Sequence, residues 1–329
     1  MFRRSRAVAA ICTWLVATPA FAALPDPATL LADLGVSASD IAQIQSGQII
    51  HHDVKPASER ELTTGLAFEV GMAPTALIGE AKQDLLNRVD STVTAHGTIT
   101  DGGVADFAKL SLGGDASRAN AYVTAKPGGA LNLSTDEIAA FAKLGSGASV
   151  ASVEQLLRQQ LAARVAAYRA KGLAGIAPYA RDGGSRSPGD ELRTATTASK
   201  PLAKYAPAAY QALAAYPSSS APGAQQIFRW SQFDAHGTPT IALTHSLLIP
   251  DGDGWIAVQR QFYVSAGYNC EQAVAVFLPA SGGTVVVYGN RTSTDQITGF
   301  GGGTKRSLGS KILASQLESM FERARKTVK

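Results

Sequence analysis

The chain has 329 residues, long enough to bury a large core, and carries 30 basic against 26 acidic side chains. Three of the basic residues lie in the first 22 positions, which hold no acid; the remainder is close to neutral, which removes the electrostatic case for binding DNA or RNA. Two cysteines, Cys12 and Cys270, exclude a disulfide framework and a cysteine-rich metal site.

The N-terminus reads as an export signal. Arg3, Arg4 and Arg6 precede an apolar run from Ala7 to Ala17, Pro19 breaks it, and Ala20-Phe21-Ala22 offers small residues at the positions a signal peptidase reads. The run is about 11 residues, short of the roughly 20 needed to span a bilayer. The expectation is cleavage after Ala22 and release into the periplasm or outside the cell. Cys270 is then the one remaining cysteine and reads as a buried structural thiol.

Helix signals come first. Asp26 can cap a short helix through Leu34, and Ser37 with Asp40 begins a second that Gly47 ends. Extended stretches are expected at 48–54, 61–70 and 92–99, with a helix at 75–87 between the last two. Leu131–Leu133 is a short extended piece, and Ser134 with Glu137 makes a capping box for a helix through Lys143. Residues 145–147 form a flexible joint. The 152–171 stretch places Val153, Leu156, Leu157, Leu161 and Val165 on one helical face, and Gly172 stops it. Residues 180–199, rich in Gly, Ser, Arg and Thr, read as a surface loop, and a helix follows at about 201–215. Two prolines and three serines between 216 and 223 mark a boundary.

Beyond it the pattern switches to strands at 227–234, 239–249, 255–264, 272–279 and 284–291, joined by short turns: a β-meander. A glycine-rich turn at 299–303 leads into a closing helix at about 304–327. Its apolar stripe is Leu308, Ile312, Leu313, Leu317, Met320, Phe321 and Ala324. The organisation is therefore a signal at 1–22, a helix-rich part with N-terminal strands at 23–216, and the meander with its helix at 224–329, the last two forming one continuous unit. The fold class is α+β: a curved antiparallel sheet, built from the meander and the N-terminal strands, packed on the long C-terminal helix.

A turn around Asp251-Gly252-Asp253-Gly254 fixes the register of the central hairpin. It pairs Ile249 with Ile256, Leu247 with Val258, His245 with Arg260, Leu243 with Phe262 and Ile241 with Val264, all on one face. A second turn at His236-Gly237 puts Phe228 opposite His245 and Trp230 opposite Leu243 on that face, while Arg229 and Ser231 point away. A guanidinium in an apolar face needs a partner. Either a ligand anion meets Arg260 with His245 beside it, or an internal carboxylate such as Glu318 does, or the face is the wetter one.

Weaker signals fall away on their chemistry. The Asp251 turn has Phe262 where a calcium loop needs its closing carboxylate. Adjacent His51 and His52 point to opposite faces of a strand and cannot share a metal, and no Gly-x-Ser-x-Gly elbow is present. Glycines 299, 301, 302 and 303 before Lys305 and Arg306 lack the spacing of a nucleotide loop, yet a helix start with two cations can hold an anion. Arg291 and Asp295 either line a pocket mouth or cap the last strand. The closing helix, with seven basic and two acidic residues from Thr304 on, allows peripheral contact with an anionic membrane.

The residues Trp230, Thr244-His245, Arg260-Gln261-Phe262-Tyr263, Asn290-Arg291-Thr292, Asp295, Gly299-Phe300 and Lys305-Arg306 together resemble the C-terminal half of a family of exported bacterial proteins without assigned function. The N-terminal half resembles it less: where such proteins show Gly-x-Cys before the mid-chain capping box, this chain has Gly128-Gly129-Ala130. The resemblance implies one continuous unit and lends no activity. By element order the sheet and closing helix also resemble the helix-grip arrangement of START-like lipid-binding proteins. The leading expectation is an exported protein that binds or carries an amphiphile with an acidic head group. Arg260 and His245 would take the head, and Phe228, Trp230, Leu243, Leu247, Val258 and Phe262 the tail. Neither cofactor nor metal is expected. The alternatives are an enzyme with His245 as acid or base beside Arg260, and an envelope interaction protein whose core is filled.

Overall fold

The computed structural model describes residues 24–235, 237–299 and 301–328; the expected export signal lies outside them. The chain begins with helices α1 (Pro27–Asp33) and α2 (Ala38–Gln45), capped by Asp26 and Ser37. Strands β1 (Ile50–His52) and β2 (Glu61–Val70), helices α3 (Pro74–Lys82) and α4 (Leu85–Val89) and strand β3 (Val93–Thr98) follow. The helix expected at 75–87 is broken in two, because Asp84 adopts φ 64°, which no α-helix continues through.

The middle of the chain is helical: α5 (Ala116–Val123), α6 (Thr135–Ala142) and the long α7 (Val150–Lys171). The Ser134–Glu137 capping box forms as expected, while α7 starts at the Ser149 cap. The stretch expected as a surface loop is ordered instead. It contains a small hairpin of β4 (Tyr179–Arg181) and β5 (Gly184–Arg186), then helix α8 (Pro188–Ala198). Ser187 caps α8, Pro188 occupies its first turn and Asp190 and Glu191 follow, so start signals outweigh its threonines. The next helix is also divided, into α9 (Lys200–Tyr205) and α10 (Pro207–Ala214), because Pro207 denies helical geometry to Ala206.

The five expected C-terminal strands are present as β6 (Gln225–Ala235), β7 (Thr238–Asp251), β8 (Gly254–Val264), β9 (Cys270–Ala280) and β10 (Gly283–Ser293), and helix α11 (Gly302–Thr327) closes the chain. They form an antiparallel sheet of eight strands in the order β1-β2-β10-β9-β8-β7-β6-β3. The N-terminal strands thus extend both edges of the meander.

The central register holds at Ile249–Ile256, Leu247–Val258 and His245–Arg260, with the turn tightened so that Asp251 faces Gly254. Past Thr244 a bulge shifts it by one. Leu243 faces Tyr263 and Ala242 faces Val264, in place of the expected Leu243–Phe262 and Ile241–Val264 pairs.

Helices cover both faces of the sheet. The face bearing His245 and Arg260 packs against α1, α2 and the helices from α5 to α10 through three apolar clusters. The other face packs against α3, α4 and α11. The C-terminal helix therefore grips the face opposite to the one expected. Phe321 of α11 meets Phe68 and Tyr288 at ring-centroid distances of 5.0 and 4.9 Å. The helix also passes so close to β2 that a Cβ at Gly309 would lie 2.8 Å from Leu62. Leu308 and Ile312, expected in its buried stripe, are 59% and 46% exposed.

Candidate functional site

A cavity of about 170 Å3 lies between the sheet, α3–α4 and α11. Its floor changes character across the strands. On β2, β9 and β10 it is mainly apolar, with Phe68, Ala273, Phe277 and Val286. On β6, β7 and β8 it is polar, with Arg229, Ser231, Thr244, Ser246, Gln259 and Gln261. Period-two alternation produces this row: these residues sit between the buried apolar side chains of the opposite face. Leu77, Ala81, Leu85 and Phe321 form the roof.

The polar row is underused. The side chains of Ser231, Thr244, Ser246 and Gln259 make no hydrogen bond with another described residue, while Gln261 accepts from the Tyr268 hydroxyl. Ser231 and Thr244 are only 7% and 6% exposed, so their hydroxyls face the cavity at a cost that a polar ligand atom or water offsets. Arg229 donates to the Lys82 carbonyl at 2.6 Å and its Nε lies 3.3 Å from Asp84 Oδ1, without hydrogen-bonding geometry. Burial pulls its pKa down, with Asp84 opposing. Asp84 also meets His96 Nδ1 at 2.7 Å and the Asn87 amide at 3.0 Å. A cation, a carboxylate and a row of hydroxyls and amides thus line one end of an otherwise apolar space, which suits an amphiphile.

The residues singled out from the sequence come together on the opposite face. His245 and Arg260 are direct partners, with Phe228, Trp230, Leu243, Leu247, Val258 and Phe262 around them, all buried. Helix α7 fills the space expected for a ligand: Tyr168 stacks on Phe262 with centroids 4.2 Å apart. Phe228 stacks on His245 at 4.4 Å, and Trp230 Nε1 donates to the Asp106 carbonyl at 2.8 Å.

Arg260 has no carboxylate partner among the described residues. It donates to Gln272 Oε1 at 3.0 Å, the Leu213 carbonyl at 2.9 Å and Thr196 Oγ1 at 2.7 Å, and it hydrogen-bonds the Tyr168 hydroxyl. Burial pulls its pKa down, opposed by Tyr168. The expected internal partner, Glu318, lies elsewhere, 3.1 Å from His51. The Tyr168 hydroxyl lies 3.1 Å from His245 Nδ1, and His245 Nε2 is buried without a hydrogen-bonding partner among the described residues. Burial first, then the charges of Arg260 and Arg169, hold the His245 pKa down to about 3.

Arg291 and Asp295 are both engaged in ion pairs. Arg291 donates to Glu61 at 2.8 Å in a buried pair, and Asp295 collects Arg60, Arg181 and Arg186 at 3.0–3.2 Å. Lys305 is exposed and Arg306 half-buried at the start of α11. Cys270 is buried, and burial raises its thiol pKa well above the ordinary value.

Sequence reasoning missed Arg229, Ser231, Thr244, Ser246, Gln259, Asp84 and His96. For the residues of β6, β7 and β8 the signal was present in the strands already read, at the positions alternating with the inner face. No group of three or more metal-ligating side chains occurs among the described residues, and none of their helices is long and apolar enough to cross a membrane. No family model, curated protein or solved structure matches the chain.

Proposed function

We propose that the protein binds a small amphiphile in the cavity beneath α11, as an exported binding or carrier protein. The observation that carries this reading is the floor that runs from apolar Phe68, Phe277 and Val286 to Ser231, Thr244, Ser246 and Gln259, whose side chains have no hydrogen-bonding partner among the described residues. The head group, a carboxyl or another carbonyl, sits toward Arg229 and the hydroxyls. The tail lies beneath Phe321. A cavity of about 150 Å3 takes benzene, so this one takes about six to eight non-hydrogen atoms. The ligand is thus a single ring or a short chain rather than a whole membrane lipid. The sheet, the closing helix and the cavity between them support a helix-grip reading of this half of the molecule.

Calorimetric titration with butyrate, hexanoate, octanoate and decanoate tests the reading. Saturable binding should peak at butyrate or hexanoate and disappear in Ala257→Phe, which places a ring in the cavity from the middle of the floor. Weak binding that rises steadily to decanoate and survives in Ala257→Phe would refute it.

A membrane contact has its own support. Leu308 and Ile312 stand exposed on α11 near Lys305, Arg306 and Lys311. Co-sedimentation with anionic but not neutral vesicles, lost in Leu308→Ser/Ile312→Ser, checks it.

A further inference from the structure

Ser231 and Asp84 of the cavity wall stand with His96 of the neighbouring edge strand in a relation that binding does not require. His96 on edge strand β3 and Ser231 on β6 are direct register partners. Their side chains leave the same sheet face, and such partners have Cβ atoms about 4.5–5.5 Å apart. Asp84 Oδ2 lies 2.7 Å from His96 Nδ1, which leaves Nε2 on the far side of the ring. Asp84 is held in place by the Asn87 amide and by Arg229. It is also the one non-glycine residue with positive φ among those described, at the break between α3 and α4. Ser231, buried and without a hydrogen-bonding partner among the described residues, lines the cavity, and Arg229 lies two residues before it on the same face.

We propose that Ser231, His96 and Asp84 form a hydrolytic site for short-chain esters, whose acyl group occupies the cavity. This rests on the binding reading above and names the substrate class of the same cavity. Ser231 Oγ forms a bond to the ester carbonyl carbon while its proton passes to His96 Nε2. The carbonyl electron pair moves onto oxygen, beside the Arg229 guanidinium. When the carbonyl reforms, the bond to the leaving alkoxide breaks and the alkoxide takes the proton from His96. Water then attacks the acyl-serine by the same route, releasing the carboxylic acid and restoring Ser231. Ester and water become acid and alcohol, with no further reactant. Asp84 is a positioning residue: it accepts the Nδ1 proton and fixes Nε2 as the base. Ser231 and His96 make no direct hydrogen bond in the structure. Their cross-strand spacing is one that a rotamer change or a single water bridges, and such contacts often tighten only around substrate.

The test is hydrolysis of p-nitrophenyl acetate, butyrate and hexanoate by the purified chain, beside hexanoate binding by calorimetry. Turnover should rise with acyl length, and Ser231→Ala or His96→Gln should lower kcat by about 100-fold or more. Asp84→Asn should lower kcat while leaving KM near its original value, a split that a merely structural role would not produce. Hexanoate binding should persist in His96→Gln, because the ring does not line the cavity. Wild-type turnover no faster than that of Ser231→Ala and His96→Gln overturns the hydrolytic site; with hexanoate binding intact, the binding reading stands. Loss of both activity and binding in the wild type removes both.

Discussion

Tyr168 of α7 stacks on Phe262 of β8 with ring planes only 6° apart, and its hydroxyl joins Arg260 to His245. This single side chain turns the His245–Arg260 face into filled core. The cavity under α11 lies on the opposite face.

Removing the plug should therefore cost stability. Tyr168→Ala leaves a ring-sized hole and strands His245 Nδ1, and is expected to destabilise the protein by about 3–5 kcal/mol in urea denaturation. Tyr168→Phe keeps the stack and loses only the hydroxyl, for about 1–3 kcal/mol.

Arg229 on β6 and Arg260 on β8, either side of β7, should behave oppositely toward ligand. Arg229→Met removes the cation from the cavity wall and should weaken hexanoate binding about tenfold or more. Arg260→Met lies behind the sheet and should leave the hexanoate affinity within about twofold of wild type. Calorimetry on both variants checks this, and the reverse order would place the ligand on the His245 face.

His245 makes a defined contribution to acid sensitivity. Its folded-state pKa of about 3 lies below the ordinary histidine value of 6.5, so the unfolded chain binds the extra proton between those limits. Stability is fully present above pH 6.5 and falls toward pH 3, by at most about 1.4 kcal/mol per pH unit from this residue. The difference in unfolding free energy between wild type and His245→Gln, followed from pH 7 to pH 4, should shrink steadily in favour of the variant.

Period-two patterning made the five meander strands legible, and turn chemistry gave the register as far as Thr244. The bulge beyond it has no sequence mark, because Leu243, Phe262 and Tyr263 satisfy either pairing. The side taken by α11 was hidden for a physical reason. Both sheet faces are largely apolar, so a helix stripe alone does not say which one it covers; that choice falls to α7 and α10, which close the His245 face. Helix α8 was obscured by threonines and arginines, although its Ser187-Pro188 start was readable. The polar row from Arg229 to Gln261 looked like an ordinary solvated face until α3, α4 and α11 were seen to roof it. His96 and Asp84 gave no signal, because the edge pairing of β3 with β6 and the left-handed turn at Asp84 are tertiary outcomes.

The central claim is the location of the ligand, and it is tested most directly by amide chemical shifts during titration with hexanoate. The account predicts saturable shifts concentrated at Ser231, Thr244, Ser246, Gln259 and Leu85, absent in Ala257→Phe. Shifts concentrated instead at Tyr168, Thr196 and Leu213, the elements that enclose Arg260, would contradict it.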